Sequence, residues 1–263
     1  MIPKIIHYCW FGRNPLPPLA QKCIESWKKY LPDYEIKEWN EENFDINIIP
    51  YTKEAYVRRK YAFVSDYARF WILYNYGGIY FDTDVLVLRN MNEILSKGPY
   101  MGLENDATED VGYVEGNNLG FEVNTGLGCA AEKGMHFYKI MLDKYQDLHF
   151  VFPSGAINTK TVVSYTSEEF IKLGANRINE IQLVDGIYIY PRFYFAPKLT
   201  NKGIPIIETY TYTAHLYAGT WVDTSMRFKM KISRLLEFIF PIKVVLYLRS
   251  FYRFLLRKNI YLL

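Results

Sequence analysis

Gly77-Gly78-Ile79-Tyr80-Phe81-Asp82-Thr83-Asp84-Val85-Leu86 is the stretch on which the reading of this chain turns. Its two glycines close the helical pattern ahead of them, because glycine takes the left-handed conformation that ends a helix. Ile79, Tyr80 and Phe81 are β-branched or aromatic, types that strands favour. In extended chain residues i and i+2 point the same way, which predicts Asp82 and Asp84 on one face as the strand emerges. Carboxylates held side by side repel unless a cation joins them. Hard oxygen ligands of this kind suit Mg²⁺ or Mn²⁺. A bare Asp-x-Asp is also a common turn and cap pattern, so its weight comes from the apolar strand and helix before it.

That helix is predicted over residues 53–76, where Tyr56, Lys60, Phe63, Tyr67, Phe70, Ile72 and Leu73 keep helical spacing. Asp66 and Arg69 lie at i and i+3 on it, so they share a face and can pair. An exposed pair would contribute little. This one is flanked by Ala62, Phe63, Phe70 and Trp71, a more apolar setting than a solvated face.

Upstream, residues 2–12 open as a short apolar strand that stops at Gly12, and the prolines at 15, 17 and 18 impose a loop. Trp10 is placed at the strand's exit, where α/β sheets gather ligand-binding groups. It could stack on a nucleobase or join the core. Leu19–Tyr30 reads as an amphipathic helix and residues 34–39 as a second strand. The order β, α, β begins a mixed α/β fold with helices covering a sheet.

Three motifs, Ile-Pro-Lys-Ile-Ile-His-x-x-Trp-Phe-Gly at the start, Ser-Asp-x-x-Arg at 65–69 and Gly-Gly-Ile-Tyr-x-Asp-x-Asp at 77–84, together resemble glycosyltransferase family 32. That group includes bacterial capsule and lipopolysaccharide sugar transferases and fungal mannosyltransferases, and is distantly similar to the catalytic domains of clostridial glucosylating toxins. The resemblance implies a GT-A fold, a nucleotide-binding α/β domain with a mixed central sheet, a divalent metal (Mn²⁺ or Mg²⁺) and retention of anomeric configuration. It implies a nucleotide-sugar donor, a UDP-sugar ahead of a GDP-sugar. Carried over by motif, Trp10 would stack on the base, and Asp66 and Arg69 would hold the ribose or donor sugar. Asp82 and Asp84 would reach the ribose and the metal, Asp84 the more directly. Asn124, in Asn124-Thr125-Gly126, looks like the segment that contacts donor or acceptor sugar, although a turn asparagine explains it equally well. His215 and Trp221 resemble a late His…Trp element, with His215 a third metal ligand and Trp221 closing over the donor. No carboxylate stands out as a nucleophile, so front-face attack by the acceptor hydroxyl is expected, aided by the departing diphosphate.

Between these motifs, the strand after Asp84 is expected to continue from Val85 to Asn90, with a short helix over residues 91–97. Residues 102–116, rich in Glu104, Asp106, Glu109, Asp110 and Glu115, read as an acidic surface loop. Residues 122–130 read as strand and turn, and residues 136–145 as an amphipathic helix. Residues 181–195 hold a strand and an aromatic cluster. Phe152-Pro153-Ser154-Gly155 matches the family's Gly-Pro loop only loosely, with Ala156 where proline is usual, and no role is carried over from it.

With 263 residues, 50% of them hydrophobic, the chain can bury a large core. Its start lacks the apolar run of a secretory signal, and its three cysteines have no metal-type spacing. A cytoplasmic protein with reduced thiols is therefore expected. From Met226 to Leu263 nine Lys or Arg face one acid, Glu237, a charge of +8; with +3 overall, residues 1–225 carry −5. Residues 1–225 are thus expected to form the catalytic domain and residues 226–263 a basic amphipathic helical tail on the inner face of an anionic membrane. Its uncharged runs reach only about five residues, against roughly 20 for a span. A helical hairpin packed on the body or on another subunit is the competing reading.

The expected activity is transfer of a sugar to a glycan or lipid-linked acceptor in bacterial surface polysaccharide synthesis, with homo-oligomers allowed and no nucleic-acid partner. A metal-dependent nucleotidyltransferase would want a Gly- and Lys-rich phosphate loop, which residues 11–20 do not provide. A non-catalytic sugar-nucleotide sensor would tolerate decay of the acidic residues, which are intact.

Overall fold

The computed structural model describes residues 1–105, 121–200 and 204–219. Met1–Lys198 and Pro205–Tyr217 form one compact unit, and Leu199–Ile204 with the chain from Ala218 form another. The boundary expected after residue 225, the tail 226–263, Trp221 and most of the acidic segment 102–116 lie outside the described residues.

The element order is β1 (Ile5–Cys9), α1 (Pro18–Tyr30), β2 (Glu35–Trp39), α2 (Pro50–Val57), α3 (Tyr61–Tyr76), β3 (Gly78–Tyr80), β4 (Val85–Val87) and α4 (Asn92–Lys97). There follow β5 (Tyr100–Leu103), β6 (Val123–Asn124), β7 (Cys129–Ala131), α5 (His136–Gln146), α6 (Val162–Lys172), β8 (Gln182–Val184), β9 (Ile187–Tyr190) and β10 (Thr213–His215). The main sheet runs β2-β1-β3-β7-β5-β9-β8, with β6 paired to β5. It is mixed: β1 is parallel to β2 and β3, whereas β7 is antiparallel to β3 and β5. β4 and β10 form a separate antiparallel ribbon, His215 opposite Val85.

Two apolar clusters carry the fold. One joins the buried faces of α2, α3, α5 and α6 around Tyr67, Phe70, Phe137 and Tyr145; the other gathers Trp27, Phe81, Tyr100 and Phe195 around α1, β4 and the ribbon. α1 opens on a proline at its first turn, where the missing N–H costs no bond. It is tied to β4 by Trp27 Nε1 donating to Val85 O at 2.8 Å and by Val87 N donating to Ser26 Oγ at 2.9 Å. α3 is buried nearly all round, Val64, Asp66, Tyr67, Ala68, Arg69, Phe70, Ile72 and Leu73 included, as befits a central helix. It ends at Gly77 (φ 65°), where a Cβ would lie 2.9 Å from Ala131 O. Only glycine accepts both demands.

Three expectations are corrected. The helix over 53–76 is two helices, broken at Arg58-Arg59-Lys60; Arg59 takes φ 56°, and Lys60 N turns back to Ala55 O at 2.9 Å. Asp82 and Asp84 do not share a strand face. β3 stops at Tyr80, and a turn closed by Val85 N donating to Asp82 O at 3.0 Å carries both aspartates. The strand then resumes as β4 in the other sheet and ends at Val87, short of Asn90.

Two elements go beyond the sequence reading. α6 was not foreseen; Thr161 caps it, accepting from Ser164 N at 3.2 Å. Residues 181–195 hold a hairpin, β8–β9, rather than one strand.

Candidate active site

β1 and β3 run parallel, so Trp10 and Asp82 leave the sheet at the same end. The turn after β3 brings the carboxylates out beside β10. Val85 pairs with His215, and Leu216 N donates to Asp84 O at 3.0 Å, which seats the imidazole next to Asp84. His215 Nε2 lies 3.1 Å from Asp84 Oδ1. Asp82, Asp84 and His215 each offer one ligand atom, all within 4.8 Å of one another.

Below them lies the Asp66–Arg69 pair, buried as the apolar flanks suggested. Arg69 is 4% exposed; its Nη2 reaches Asp66 Oδ1 at 3.0 Å and Asp82 Oδ1 at 3.2 Å. Nη1 donates to Thr125 Oγ1 at 3.1 Å, and Nε to Ser65 O at 3.2 Å. Three of the guanidinium's N–H groups are thus hydrogen-bonded within the protein, and the ion pair with Asp82 adds a fourth contact. Tyr80 completes the brace: its hydroxyl donates to Asp82 Oδ1 at 3.0 Å and its ring lies 4.9 Å from the guanidinium carbon. One cation is shared between two acids. Burial raises the Asp66 carboxyl above the usual carboxylate range, with the Arg69 charge opposing and Asp82 adding to the rise.

On the far side of Asp82, Asn124 Oδ1 accepts from Gly126 N at 2.7 Å, and Asn124 Nδ2 donates to Glu104 Oε2 at 3.0 Å. The amide is therefore engaged in holding its own turn. Glu104 directly follows β5, its N–H donating to Glu122 O at 2.7 Å, and is half-buried, which corrects its placement in a surface loop. Burial pushes its carboxyl up, eased by the His215 charge and by the bond from Asn124, with Glu122 adding to the rise. Burial likewise pulls His215 down, but its bond and charge contact with Asp84 prevail and raise it.

Trp10 is half-buried, and its indole N–H donates to Asn14 O at 2.6 Å, so the ring is held at the strand exit. The structure thus brings together Asp66, Arg69, Asp82, Asp84, His215 and Asn124, and sets Trp10 at the same end of the sheet. Sequence reasoning missed Tyr80, Thr125, Gly126, Glu104 and Tyr217 as parts of this constellation. Tyr80 and Thr125 were within the quoted motifs but read as strand and turn residues.

The donor set suits a divalent cation. It offers two carboxylates and one imidazole, and His215 Nδ1 is buried without a hydrogen-bond partner among the described residues.

Residues 17–100 match the family described as "Glycosyltransferase sugar-binding region containing DXD motif", a segment that contains Asp66, Arg69, Asp82 and Asp84. The chain is 27% identical over 234 residues to an uncharacterized glycosyltransferase of Acanthamoeba polyphaga mimivirus, covering 84% of each chain. It is 30% identical over 123 residues to inositol phosphoceramide mannosyltransferase 1 of Schizosaccharomyces pombe, covering 43% of this chain and 36% of that one. The solved PaToxG glycosyltransferase overlays with a TM-score of 0.44 at 19% identity, covering 66% of this chain and 72% of that chain. The chain thus carries a DXD-type glycosyltransferase sugar-binding region and resembles glycosyltransferase family 32, with the mixed, helix-flanked sheet of a GT-A fold.

Proposed function

We propose that the protein is a metal-dependent, retaining glycosyltransferase that takes a sugar from a nucleoside diphosphate, a UDP-sugar by preference, and passes it to a glycan or lipid-linked acceptor hydroxyl. The observation that carries this reading is the convergence of Asp82, Asp84 and His215 within 4.8 Å on a rigid base of Arg69, Asp66 and Tyr80.

In this reading Asp84, Asp82 and His215 hold Mn²⁺ or Mg²⁺, which when bound offsets the charge of the leaving diphosphate. Asp82 is kept in place by Arg69 and Tyr80, so the ligand face is set before the donor arrives. Arg69, tied to Asp66, Asp82 and Thr125, acts chiefly as a brace. Asp66 and Asp82 serve the ribose or sugar, and Trp10 offers a ring face to the base. Asn124 orders the turn against the sugar. Trp221, outside the described residues, is assigned to closing over the donor. Because no carboxylate stands out in the sequence as a nucleophile, the acceptor is assigned attack on the face the diphosphate leaves.

Surface polysaccharide assembly and a membrane-associated tail at 226–263 complete the proposal, resting on the resemblance and on the tail's charge. Among the described residues no helix is long and apolar enough to cross a membrane.

A thermal-shift panel of nucleotide sugars with and without Mn²⁺ tests this. A ligand at 100 times its Kd adds about 2.7 kcal/mol, so the right donor should raise Tm by several degrees only with metal. No shift with any nucleotide sugar would overturn the reading.

A further inference from the structure

Apart from the metal face, one side of α2 borders a depression of about 520 Å³, a volume typical of ligand pockets. Lys53, Glu54, Val57 and Arg58 line it, spaced by three and four residues so that one helix face presents them all. Val57 is 72% exposed. One exposed aliphatic residue is ordinary on a surface, but this one shares its depression with Ile48 and Val151, both half-buried, in a common apolar wall. The acid on this face is already engaged. Glu54 Oε1 lies 2.7 Å from His149 Nδ1, and Oε2 accepts from Val151 N at 2.9 Å, which fastens the wall to α2. Lys53 and Arg58 are exposed, and neither side chain has a hydrogen-bond or ion-pair partner among the described residues. Phe152, 45% exposed, follows Val151 on a turn closed by Gly155 N donating to Phe152 O at 2.8 Å.

An apolar wall beside two unpaired cations is complementary to an amphiphile with an anionic head. A bare anion would leave Val57 and its neighbours wet, and an uncharged chain would leave both cations unanswered. We propose that this groove binds one phosphate-bearing lipid, its phosphate between Lys53 and Arg58 and its chain along Val57, Ile48 and Val151. No residue of the metal face takes part, so the site stands or falls separately from the transferase reading. Within that reading it gives the catalytic body its own hold on a lipid-linked acceptor, apart from the tail.

The three native cysteines are buried. A thiol introduced by Phe152→Cys therefore takes an environment-sensitive fluorophore, acrylodan, at the edge of the groove, and its emission reports this site alone. The labelled full-length protein is titrated, without donor or metal, with dihexanoyl phosphatidic acid below its micelle concentration. Dihexanoyl phosphatidylcholine and inorganic phosphate serve as the other two arms. A saturable blue shift is expected with the phosphatidic acid, far less with the zwitterionic lipid and none with phosphate. Lys53→Gln combined with Arg58→Gln should weaken binding by about 10-fold or more. Val57→Ser, which shortens the apolar wall, should weaken it several-fold. All three positions are exposed, and circular dichroism checks that the variants fold. No shift with phosphatidic acid, an equal shift with phosphatidylcholine, or unchanged affinity in the double variant would overturn the proposal. So would a shift with phosphate alone, which would mark a free-anion site, or one that grows with protein concentration without lipid, which would seat a second copy there.

Discussion

Asp82 and Gly126 are in contact so close that a Cβ on Gly126 would stand 2.2 Å from Asp82 Oδ2. Only a residue without a side chain lets the carboxylate stay where Arg69 and Tyr80 hold it. Gly126→Ala must therefore push Asp82 aside or shift the turn that Asn124 ties down. Displacements near 1 Å in a catalytic arrangement cost about 100-fold in rate. We expect a loss of that order in donor turnover with a folded protein, checked by kinetics alongside circular dichroism.

Arg69 answers two carboxylates from a buried position, so its removal leaves both without a cation. Breaking a buried pair by deleting one partner costs about 3–5 kcal/mol. Arg69→Met should reduce stability by that order in urea denaturation and abolish transfer. Arg69→Lys should remain impaired, because a point-like ammonium cannot serve Asp66, Asp82 and Thr125 together. Full stability in Arg69→Met would show that the carboxylates do not depend on it.

His7 gives a pH signature away from the metal face. Its ring is fully buried; Nδ1 accepts from Trp39 Nε1 at 3.1 Å and Nε2 donates to Gly77 O at 2.9 Å. Burial lowers its pKa from 6.5 to about 4, the Gly77 bond opposing and Lys37 adding to the fall. Below pH 6.5 the unfolded chain takes up a proton that the folded chain refuses, so this stability is complete above 6.5 and is lost as pH falls towards 4. The loss is roughly 3 kcal/mol by linkage. Urea midpoints at a series of pH values should fall through this window in wild type and fall less in His7→Gln. Parallel profiles would contradict the assignment.

Much of this was legible from local pattern. The β1-α1-β2 start, the buried Asp66–Arg69 pair and the strand before Asp82 followed from periodicity and neighbouring apolar residues. The break at Arg58–Lys60 was not, because helical spacing runs straight through it. Glu104 was hidden by its company: it opens an acidic run that reads as solvated loop. The seating of His215 beside Asp84 depends on a strand pair between segments some 130 residues apart, Val85 with His215. No local signal encodes that, and only the motif resemblance suggested it. The aspartates converge through a turn and a second sheet rather than through the pleat of one strand, so the expected neighbours are found by a different route.

The central claim is that Asp84, with Asp82 and His215, holds the cation that lets a diphosphate depart. Such an ion contributes several kcal/mol to the transition state, or about 100-fold or more in rate. The direct measurement is release of nucleoside diphosphate from the donor against Mn²⁺ concentration, in wild type and Asp84→Asn. The account predicts saturable dependence on Mn²⁺ in wild type and a drop of about 100-fold or more in the variant. Release by Asp84→Asn within a few-fold of wild type at saturating Mn²⁺ would contradict it.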